Sequence, residues 1–131
     1  MLEEPRVATV NAHYGLLPRY RGMNVTEWSI YHDDPIGVTV HVVDTGIDTG
    51  DVLLREEIDA APGDTLAALR PKHQDAAQRL LRVAVALLGA GEAGRIQQRP
   101  EEGRQFYRMH PLLRGIVEEK LADGRYVHLR A

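Results

Sequence analysis

"IGVTVHVVDTGIDTGDVLLREEI", at residues 36–58, is the stretch that decides the fold. Its first part alternates, so that Val38, Val40 and Val42 share one face while Thr39 and His41 lie on the other, as in a half-buried strand. A polar, glycine-bearing loop, TGIDTG, then leads into a second apolar run, DVLLREEI. This pattern predicts an antiparallel hairpin with strands at residues 37–43 and 51–58.

Two short segments precede the hairpin. The run RVATV is rich in β-branched residues, and it predicts a strand at residues 7–10 that enters a loop at Asn11. Residues 24–32, NVTEWSIYH, place apolar side chains at roughly helical spacing. Asn24 suits the N-cap, with Glu27 three residues further on. A short helix is therefore predicted there.

The hairpin is followed by a longer helical pattern. Apolar residues recur at spacings of three and four over residues 65–88, which predicts one amphipathic helix. Pro71 interrupts this pattern, so we expect a kink or a break after Arg70. The remaining segments are predicted as a short strand at 96–98, a polar loop at 99–111 and a helix at 112–121.

The elements together predict an α/β fold in one domain spanning residues 1–131. Strand 7–10 and the hairpin are expected in one mixed sheet, with the helix at 65–88 on one of its faces. A chain of 131 residues that is 44% hydrophobic and 27% charged has the composition of one globular domain.

Composition also excludes several functions. The net charge of −3 provides no overall positive field for a polyanion, so we do not expect nucleic-acid binding. The chain has no cysteine, which excludes disulfides, zinc–thiolate sites and a cysteine nucleophile. The first residues do not resemble a signal peptide and no apolar run has membrane length, so we expect a cytoplasmic protein without membrane contact.

Chemically capable side chains follow the first strand, in TVNAHYGLLPRYRG at residues 9–22. If the backbone stays extended past Val10, the amide of Asn11 and the imidazole of His13 point to the same side. Loops after strands are where open α/β sheets bind ligands. By itself, an Asn-x-His after a strand is more often a turn residue beside a surface histidine.

A second motif changes that balance. NAHYGLLPRYRG at 11–22, followed by GVTVHVVDTGIDTGDVLLREEI at 37–58, resembles the second half of the catalytic domain of formyl-tetrahydrofolate-dependent formyltransferases. The resemblance implies a Rossmann-like fold and 10-formyltetrahydrofolate as the formyl donor. It also implies that Asn11, His13 and Asp48 are the catalytic residues.

The chemistry of formyl transfer explains these residue types. An amine attacks the formyl carbon, and the resulting oxyanion needs preorganised donors such as the amide of Asn11. We expect a nearby carboxylate to hold His13 protonated, so that it donates to the same oxyanion and then relays protons. Asp48 would orient that imidazole or take the amine proton through a water molecule.

The same resemblance assigns further residues in the loop before Asp48. It implies that the loop before Asp48 contacts the pterin ring of the folate through its backbone, with the cofactor-binding residues Asp44, Thr45, Gly46 and Ile47. Aspartate and glycine in that loop could instead serve only turn geometry. The supporting residues are Thr39, His41 and Arg21, the last of which could meet phosphate or the glutamate tail of the folate, or be solvated.

The sequence departs from the family in two places. Tyr14 and Gly15 stand where the family has Pro-Ser, and the family's first half is apparently missing, so we expect a homo-oligomer or a partner chain that supplies it. Nothing after residue 58 resembles a tRNA-binding domain, which favours a small amine acceptor, such as an amino sugar nucleotide, over tRNA. The alternatives are a truncated, inactive folate-binding or interaction module and a formyltetrahydrofolate hydrolase.

A metal site is a weaker interpretation of the same side chains. His13, His41, Asp44 and Asp48 are all of ligand type. They lack the i, i+4 histidine pair or tight cluster that would make a metal site specific, so no metal is predicted.

Overall fold

The computed structural model describes residues 8–130, which form two small sheets flanked by helices. In chain order the elements are β1 (Val10–His13), β2 (Tyr20–Gly22), α1 (Val25–Tyr31), β3 (Ile36–Val42), β4 (Val52–Ile58), α2 (Leu66–Gly89), a 3-10 turn (Pro100–Glu102), β5 (Arg104–Phe106) and α3 (Pro111–Ala122). The predicted α/β class is confirmed, as are the hairpin, the long helix and the last helix.

The larger sheet has the strand order β1-β3-β4, and both of its pairings are antiparallel. The hairpin register begins at Ile36 opposite Ile58 and shifts at an irregularity between Val40 and His41. The parallel pairing lies elsewhere, between β2 and β5. Parallel and antiparallel pairings, expected within one sheet, therefore fall in two separate sheets.

Helix α2 covers one face of the larger sheet. The buried valines of β3, Val38 and Val40, pack against small residues and Leu80 of α2, because alanines let the helix approach the strands closely. Pro71 lies inside the helix without breaking it, so the predicted break is wrong. A proline so near the helix start removes one backbone hydrogen bond, and the packing of the later turns is unaffected.

A second core joins the other helices. It contains residues from α1, β3, α2 and α3 together with the segments around them, namely Ile30, Ile36, Ala60, Leu69, Met109, Val117, Leu121 and Tyr126. The phenol of Tyr126 donates to the backbone oxygen of Asp34 at 2.6 Å. This contact ties the end of the described chain to the turn after α1.

The first strand differs from its prediction. Val7 lies outside the described residues, and the strand begins at Val10 and runs on to His13. The cause is its pairing with β3, which continues in register from Val10 opposite Val42 to His13 opposite Thr39. Tertiary pairing, more than the β-branched run before it, sets where the strand lies.

The region after α2 also differs from its prediction. The expected loop at 99–111 contains β5, whose backbone pairs with β2. The expected strand at 96–98 is reduced to one bridge between Ile96 and Val52. Asn24 does occupy the N-cap of α1, but its side-chain oxygen accepts from the backbone N–H of Met109 and leaves the helix uncapped.

Candidate active site

The pairing of β1 with β3 gathers polar side chains on the sheet face opposite α2. Asn11 lies opposite His41, and His13 lies opposite Thr39. The alternate residues of β1 pack towards α2. Asn11 and His13 therefore share a face, as the Asn-x-His spacing predicts.

Asp48 extends from the loop between β3 and β4 to meet this face. One oxygen of its carboxylate lies 3.5 Å from Nδ1 of His13, and the other lies 3.4 Å from Nε2 of His41. The backbone N–H of Gly22 donates to the carboxylate at 2.9 Å. Nε2 of His41 has no hydrogen bond of good geometry within residues 8–130. Its contact with the Asp48 carboxylate is therefore one of charge and proximity.

The charge of Asp48 is stabilised where it lies. Burial alone would raise the pKa of the Asp48 carboxyl. The contacts with His41, His13 and the amide of Gly22 outweigh that effect and lower its pKa below the usual range. Asp48 is therefore an ionised carboxylate at neutral pH, set between two imidazoles.

The hydrogen bonds of His13 define its tautomer. Its Nε2 lies 2.8 Å from the carbonyl oxygen of Tyr20, which can only accept, so Nε2 carries the hydrogen. In the neutral ring, Nδ1 then directs its lone pair towards Asp48. A proton added to Nδ1 would give an imidazolium with an acceptor at each nitrogen.

The protonation state of His13 differs from the prediction. His13 is buried, and burial lowers its pKa, which Asp48 and the Tyr20 carbonyl only partly offset. The expectation that a carboxylate holds this histidine protonated is therefore wrong. At neutral pH His13 is a neutral imidazole that is ready to accept a proton.

Asn11 and Thr39 occupy different surroundings on the same face. Asn11 is exposed at the edge of the group. Thr39 is fully buried, and its hydroxyl donates to the Gly15 carbonyl at 2.7 Å and accepts from the backbone N–H of Leu17 at 3.1 Å. Thr39 supports the loop after β1 through these bonds and is not part of the wall of the cavity beside His13.

Arg21 is also a structural residue, and the expectation that it is solvated or meets an anionic ligand is wrong. It is only 5% exposed. Its guanidinium donates to the side-chain oxygen of Gln98 and to the backbone oxygens of Arg99 and Pro100. Gln98 itself was not predicted as a site residue, because a glutamine in a polar stretch carries no signal of burial.

The loop from Asp44 to Ile47 is exposed. The carboxylate of Asp44 accepts from the backbone N–H of Gly46 at 2.9 Å and from the hydroxyl of Thr49 at 2.7 Å. Asp44 thus stabilises the turn, and Thr45 to Ile47 are exposed. This leaves the loop accessible for the folate contact that the sequence predicts.

A cavity of about 540 Å³ opens beside His13, between α1, α2 and α3. Its walls include His13, Tyr14, Thr26, Arg70, His73 and Arg114. His73 is buried, donates from Nδ1 to the Leu69 carbonyl at 2.8 Å and has a pKa lowered by burial. Its position on the apolar side of α2 was a signal that sequence reasoning missed.

Residues 8–130 contain neither a metal-binding cluster nor a membrane-spanning helix. Within them, no three histidine and acidic side chains are arranged to hold a metal ion. No helix in the same range is both long and apolar enough to cross a membrane.

The fold and the site define a class of protein, an α/β protein with one carboxylate between two imidazoles beside a cavity. Residues 1–85 match the family described as formyl transferase, and the chain belongs to that family. This confirms the resemblance on which the sequence assignment of the family depends.

Several known proteins are similar to this chain. A methionyl-tRNA formyltransferase from Koribacter versatilis is 36% identical over 103 residues, which cover 78% of this chain and 33% of that protein. The cytosolic 10-formyltetrahydrofolate dehydrogenase of Mus musculus is 37% identical over 109 residues, covering 81% of this chain and 12% of that protein.

A solved structure is also similar. It is the formyltransferase PseJ from Anoxybacillus kamchatkensis in complex with UDP-4,6-dideoxy-4-formamido-L-AltNAc and tetrahydrofolate, with a TM-score of 0.67 and 30% identity. The match covers 74% of this chain and 51% of PseJ. The chain spans about a third of the length of the methionyl-tRNA formyltransferase from Koribacter versatilis.

Proposed function

We propose that this chain carries the formyl-transfer centre of its family, moving a formyl group from 10-formyltetrahydrofolate to an amine. Asn11, His13 and Asp48 are the proposed catalytic residues. The observation that carries the proposal is the ionised Asp48 carboxylate, which lies 3.5 Å from His13. His13 in turn lines a cavity large enough for a small molecule. PseJ, whose structure contains tetrahydrofolate, supports the identity of the donor.

The proposed reaction uses each side chain once. The amine attacks the formyl carbon, a C–N bond forms, and the carbonyl electron pair moves to the oxygen, where the amide of Asn11 stabilises it. Neutral His13 accepts the proton that the attacking nitrogen loses, and Asp48 stabilises the imidazolium. When the intermediate collapses, the bond to the folate nitrogen breaks and that nitrogen takes the proton. The products are a formamide and tetrahydrofolate.

The exposed loop from Asp44 to Ile47 is the proposed folate contact. Its residues are exposed, and the side chain of Asp44 holds the turn by accepting from Gly46 and Thr49. Backbone N–H and C=O groups at fixed positions suit a flat heterocycle that has donors and acceptors along one edge. In this proposal the loop holds the donor while Asp48 lies at its end.

For the acceptor we favour a small amine, such as an amino sugar nucleotide, over tRNA. Arg70 and Arg114 line the cavity, and guanidinium groups suit the phosphates of a nucleotide. The net charge of −3 argues against a polyanion as large as tRNA. The sugar nucleotide in PseJ supports this choice, while the methionyl-tRNA enzymes make tRNA the acceptor to compare.

The proposal includes a partner for β1. β1 is an outer strand of the sheet that residues 8–130 form. The backbone N–H of Val43 donates to the carbonyl of Thr9, and every second residue after Thr9 continues this bonding to β3. The backbone groups of Val10 and Ala12 therefore point away from β3. We propose that a second copy of this chain pairs there, with a chain supplying the family's first half as the other outcome.

The function is tested by incubating the protein with 10-formyltetrahydrofolate and either an amino sugar nucleotide or methionyl-tRNA. Mass spectrometry would detect a formylated acceptor, and His13→Ala should abolish it while the exposed control His32→Ala retains it. Formate released without a formylated acceptor would indicate a hydrolase. Calorimetric binding of a stable folate analogue without turnover would indicate a binding module. The proposal would be contradicted if the protein showed no turnover and did not bind the folate analogue.

A further inference from the structure

The backbone at Asp48 needs support from outside its own loop. Asp48 has a φ of 56°, in the left-handed region that a residue with a Cβ atom seldom adopts. Two residues later the chain passes so close to β3 that a Cβ at Gly50 would lie 1.7 Å from the Val42 carbonyl oxygen. Such a conformation persists only where surrounding contacts hold it.

Gln98 supplies those contacts. Its side-chain nitrogen donates to the backbone oxygen of Asp48 at 2.9 Å and to that of Gly50 at 2.6 Å. One amide group thus bridges the two ends of the strained stretch. Gln98 is only 8% exposed, so water does not compete freely for these carbonyls.

Arg21 determines which way the Gln98 amide points. Nε of Arg21 donates to the side-chain oxygen of Gln98 at 3.2 Å. A guanidinium can only donate and backbone carbonyls can only accept, so the amide oxygen must face Arg21 and its nitrogen must face the loop. The other guanidinium nitrogens donate to the carbonyls of Arg99 and Pro100, which fixes the segment that carries Gln98.

β2 therefore holds both the side chain and the backbone of Asp48. The backbone N–H of Gly22 donates to the Asp48 carboxylate, and the preceding residue, Arg21, acts on the Asp48 backbone through Gln98. None of these groups lies between the two imidazoles and the carboxylate. Their contacts fix the position from which the carboxylate reaches His13 and His41.

We propose that Gln98, oriented by Arg21, is a positioning residue that sets the Asp48 carboxylate between His13 and His41. The inference rests on the proposed function for its catalytic consequence. Gln98 touches neither donor nor acceptor in this proposal, and it acts only through the backbone of Asp48 and Gly50. It adds a residue to the site that lies 50 positions from Asp48 in sequence.

Gln98→Glu is the sharpest test, because it keeps the size of the side chain and adds a charge that Arg21 can neutralise. It replaces the donor that faces two carbonyls with an acceptor, so the loop should move and take the carboxylate away from His13. The matched control is Gln97→Glu, the same chemical change at the exposed neighbouring position. Asp48→Asn provides the benchmark for a lost carboxylate.

Histidine titration by NMR reads the position of the carboxylate without any need for turnover. Asp48 raises the pKa of His13, so the His13 pKa should fall further in Gln98→Glu, in the same direction as in Asp48→Asn. In Gln97→Glu, His13 should titrate as in the wild type. An unchanged His13 titration in a folded Gln98→Glu would overturn the inference.

Activity provides the second measurement. If the wild type transfers formyl groups, kcat of Gln98→Glu should fall about a hundredfold, as expected for a misplaced catalytic group, while Gln97→Glu stays at the wild-type rate. A shifted titration with an unchanged kcat would overturn the inference. If the wild type has no turnover, the proposed function fails, and the titration alone decides whether Gln98 positions Asp48.

A second variant keeps the inference testable if Gln98→Glu does not fold. Arg21→Lys retains the charge but cannot donate to all three acceptors in a fixed fork, so the Gln98 amide loses its orientation. The His13 titration should shift in the same direction, by less than in Asp48→Asn. A folded Arg21→Lys whose His13 titrates as in the wild type would overturn the role of Arg21 and with it the inference.

Discussion

The two faces of the β1-β3-β4 sheet are both covered, but by opposite kinds of side chain. Val38 and Val40 face the alanines of α2 across a dry contact. On the other face, Thr39 and His41 are equally buried and meet carbonyl, backbone N–H and carboxylate partners. Burial of the first set is favourable in itself, whereas burial of the second is costly unless every polar atom has a partner. One face therefore stabilises the fold, and the other holds groups in a defined protonation state.

The largest expected effect is on the apolar face. Leu80→Ala removes a side chain packed between α2 and the sheet, and it should lower the free energy of unfolding by about 2–5 kcal/mol. Denaturant unfolding measures this loss. Leu112→Ala, at a leucine that is 76% exposed, is the control and should change stability little. Equal losses in the two variants would contradict the assignment of α2 as the cover of the core.

Asn11→Ala tests the polar face by a change that should leave the fold intact. Asn11 is exposed, so its loss should hardly alter unfolding. Loss of one oxyanion donor should lower kcat about a hundredfold to a thousandfold, which corresponds to roughly 2.7–4 kcal/mol in the barrier. Gln105→Ala, at an exposed amide on β5, is the matched control for steady-state kinetics. A stable Asn11→Ala with full activity would remove Asn11 from the mechanism.

Thr39→Val brings the side chain typical of the apolar face to the polar face, where it has the same shape as threonine but cannot bond to the polar partners. The Gly15 carbonyl and the Leu17 N–H would lose their hydroxyl partner, which should cost about 1–3 kcal/mol of stability. Thr45→Val, in the exposed loop, is the comparison variant. If both variants unfold at the same denaturant concentration, the buried hydroxyl does not secure the loop after β1.

The stability of the protein should decrease when the pH falls from 7 to 5. Burial lowers the pKa of His13 and that of His73, so in this window the unfolded chain binds protons that the folded chain does not. Stability is therefore lost as the pH drops below the unfolded value of about 6.5. The lowered pKa of Asp48 acts later, as the pH falls through that folded pKa.

Unfolding titrations of His13→Gln and His73→Gln separate these contributions, because each variant should reduce the dependence on pH between 7 and 5. His32→Gln, at an exposed position, is the control. A slope that survives both substitutions would assign the pH dependence to other groups.

The smallest effect on the fold is expected at the edge of the sheet. Ala12→Pro removes an N–H that points away from β3, so the pairing within the chain remains and stability should change little. Light scattering across a dilution series should show association of the wild type that the variant lacks. The control is Thr45→Pro, in the exposed loop, which should leave association unchanged. A wild type that is monomeric at all concentrations would contradict pairing through β1.

The sequence predicted elements with strong periodicity and missed those that depend on distant pairing. The alternation of β3 and the spacing in α2 identify both elements, since each pattern is local. β5 has three residues, two of them exposed, and forms only because β2 lies beside it. The start of β1 was misplaced for the same reason.

The site was predictable to the extent that its residues lie in recognisable motifs. The Asn-x-His spacing places Asn11 and His13 on one face, and the later loop brings Asp48 to His13. The neutral state of His13 could not be predicted, because it depends on burial and on the carbonyl of Tyr20. Arg21 and Gln98 were misjudged or missed, because charged and amide side chains in polar stretches are usually solvated.

The contacts around Gln98 also bear on the order in which the protein folds. They join β2 to residues 77 positions away and the Asp48 loop to residues 50 positions away. Closing such long loops costs chain entropy before any contact compensates for it, so distant pairings generally form after local hairpins and helices. The hairpin of β3 and β4 can form while its carboxylate is still unsupported. Assembly of the proposed catalytic group would then be a late event of folding, and its appearance would report that the whole chain has reached its native topology.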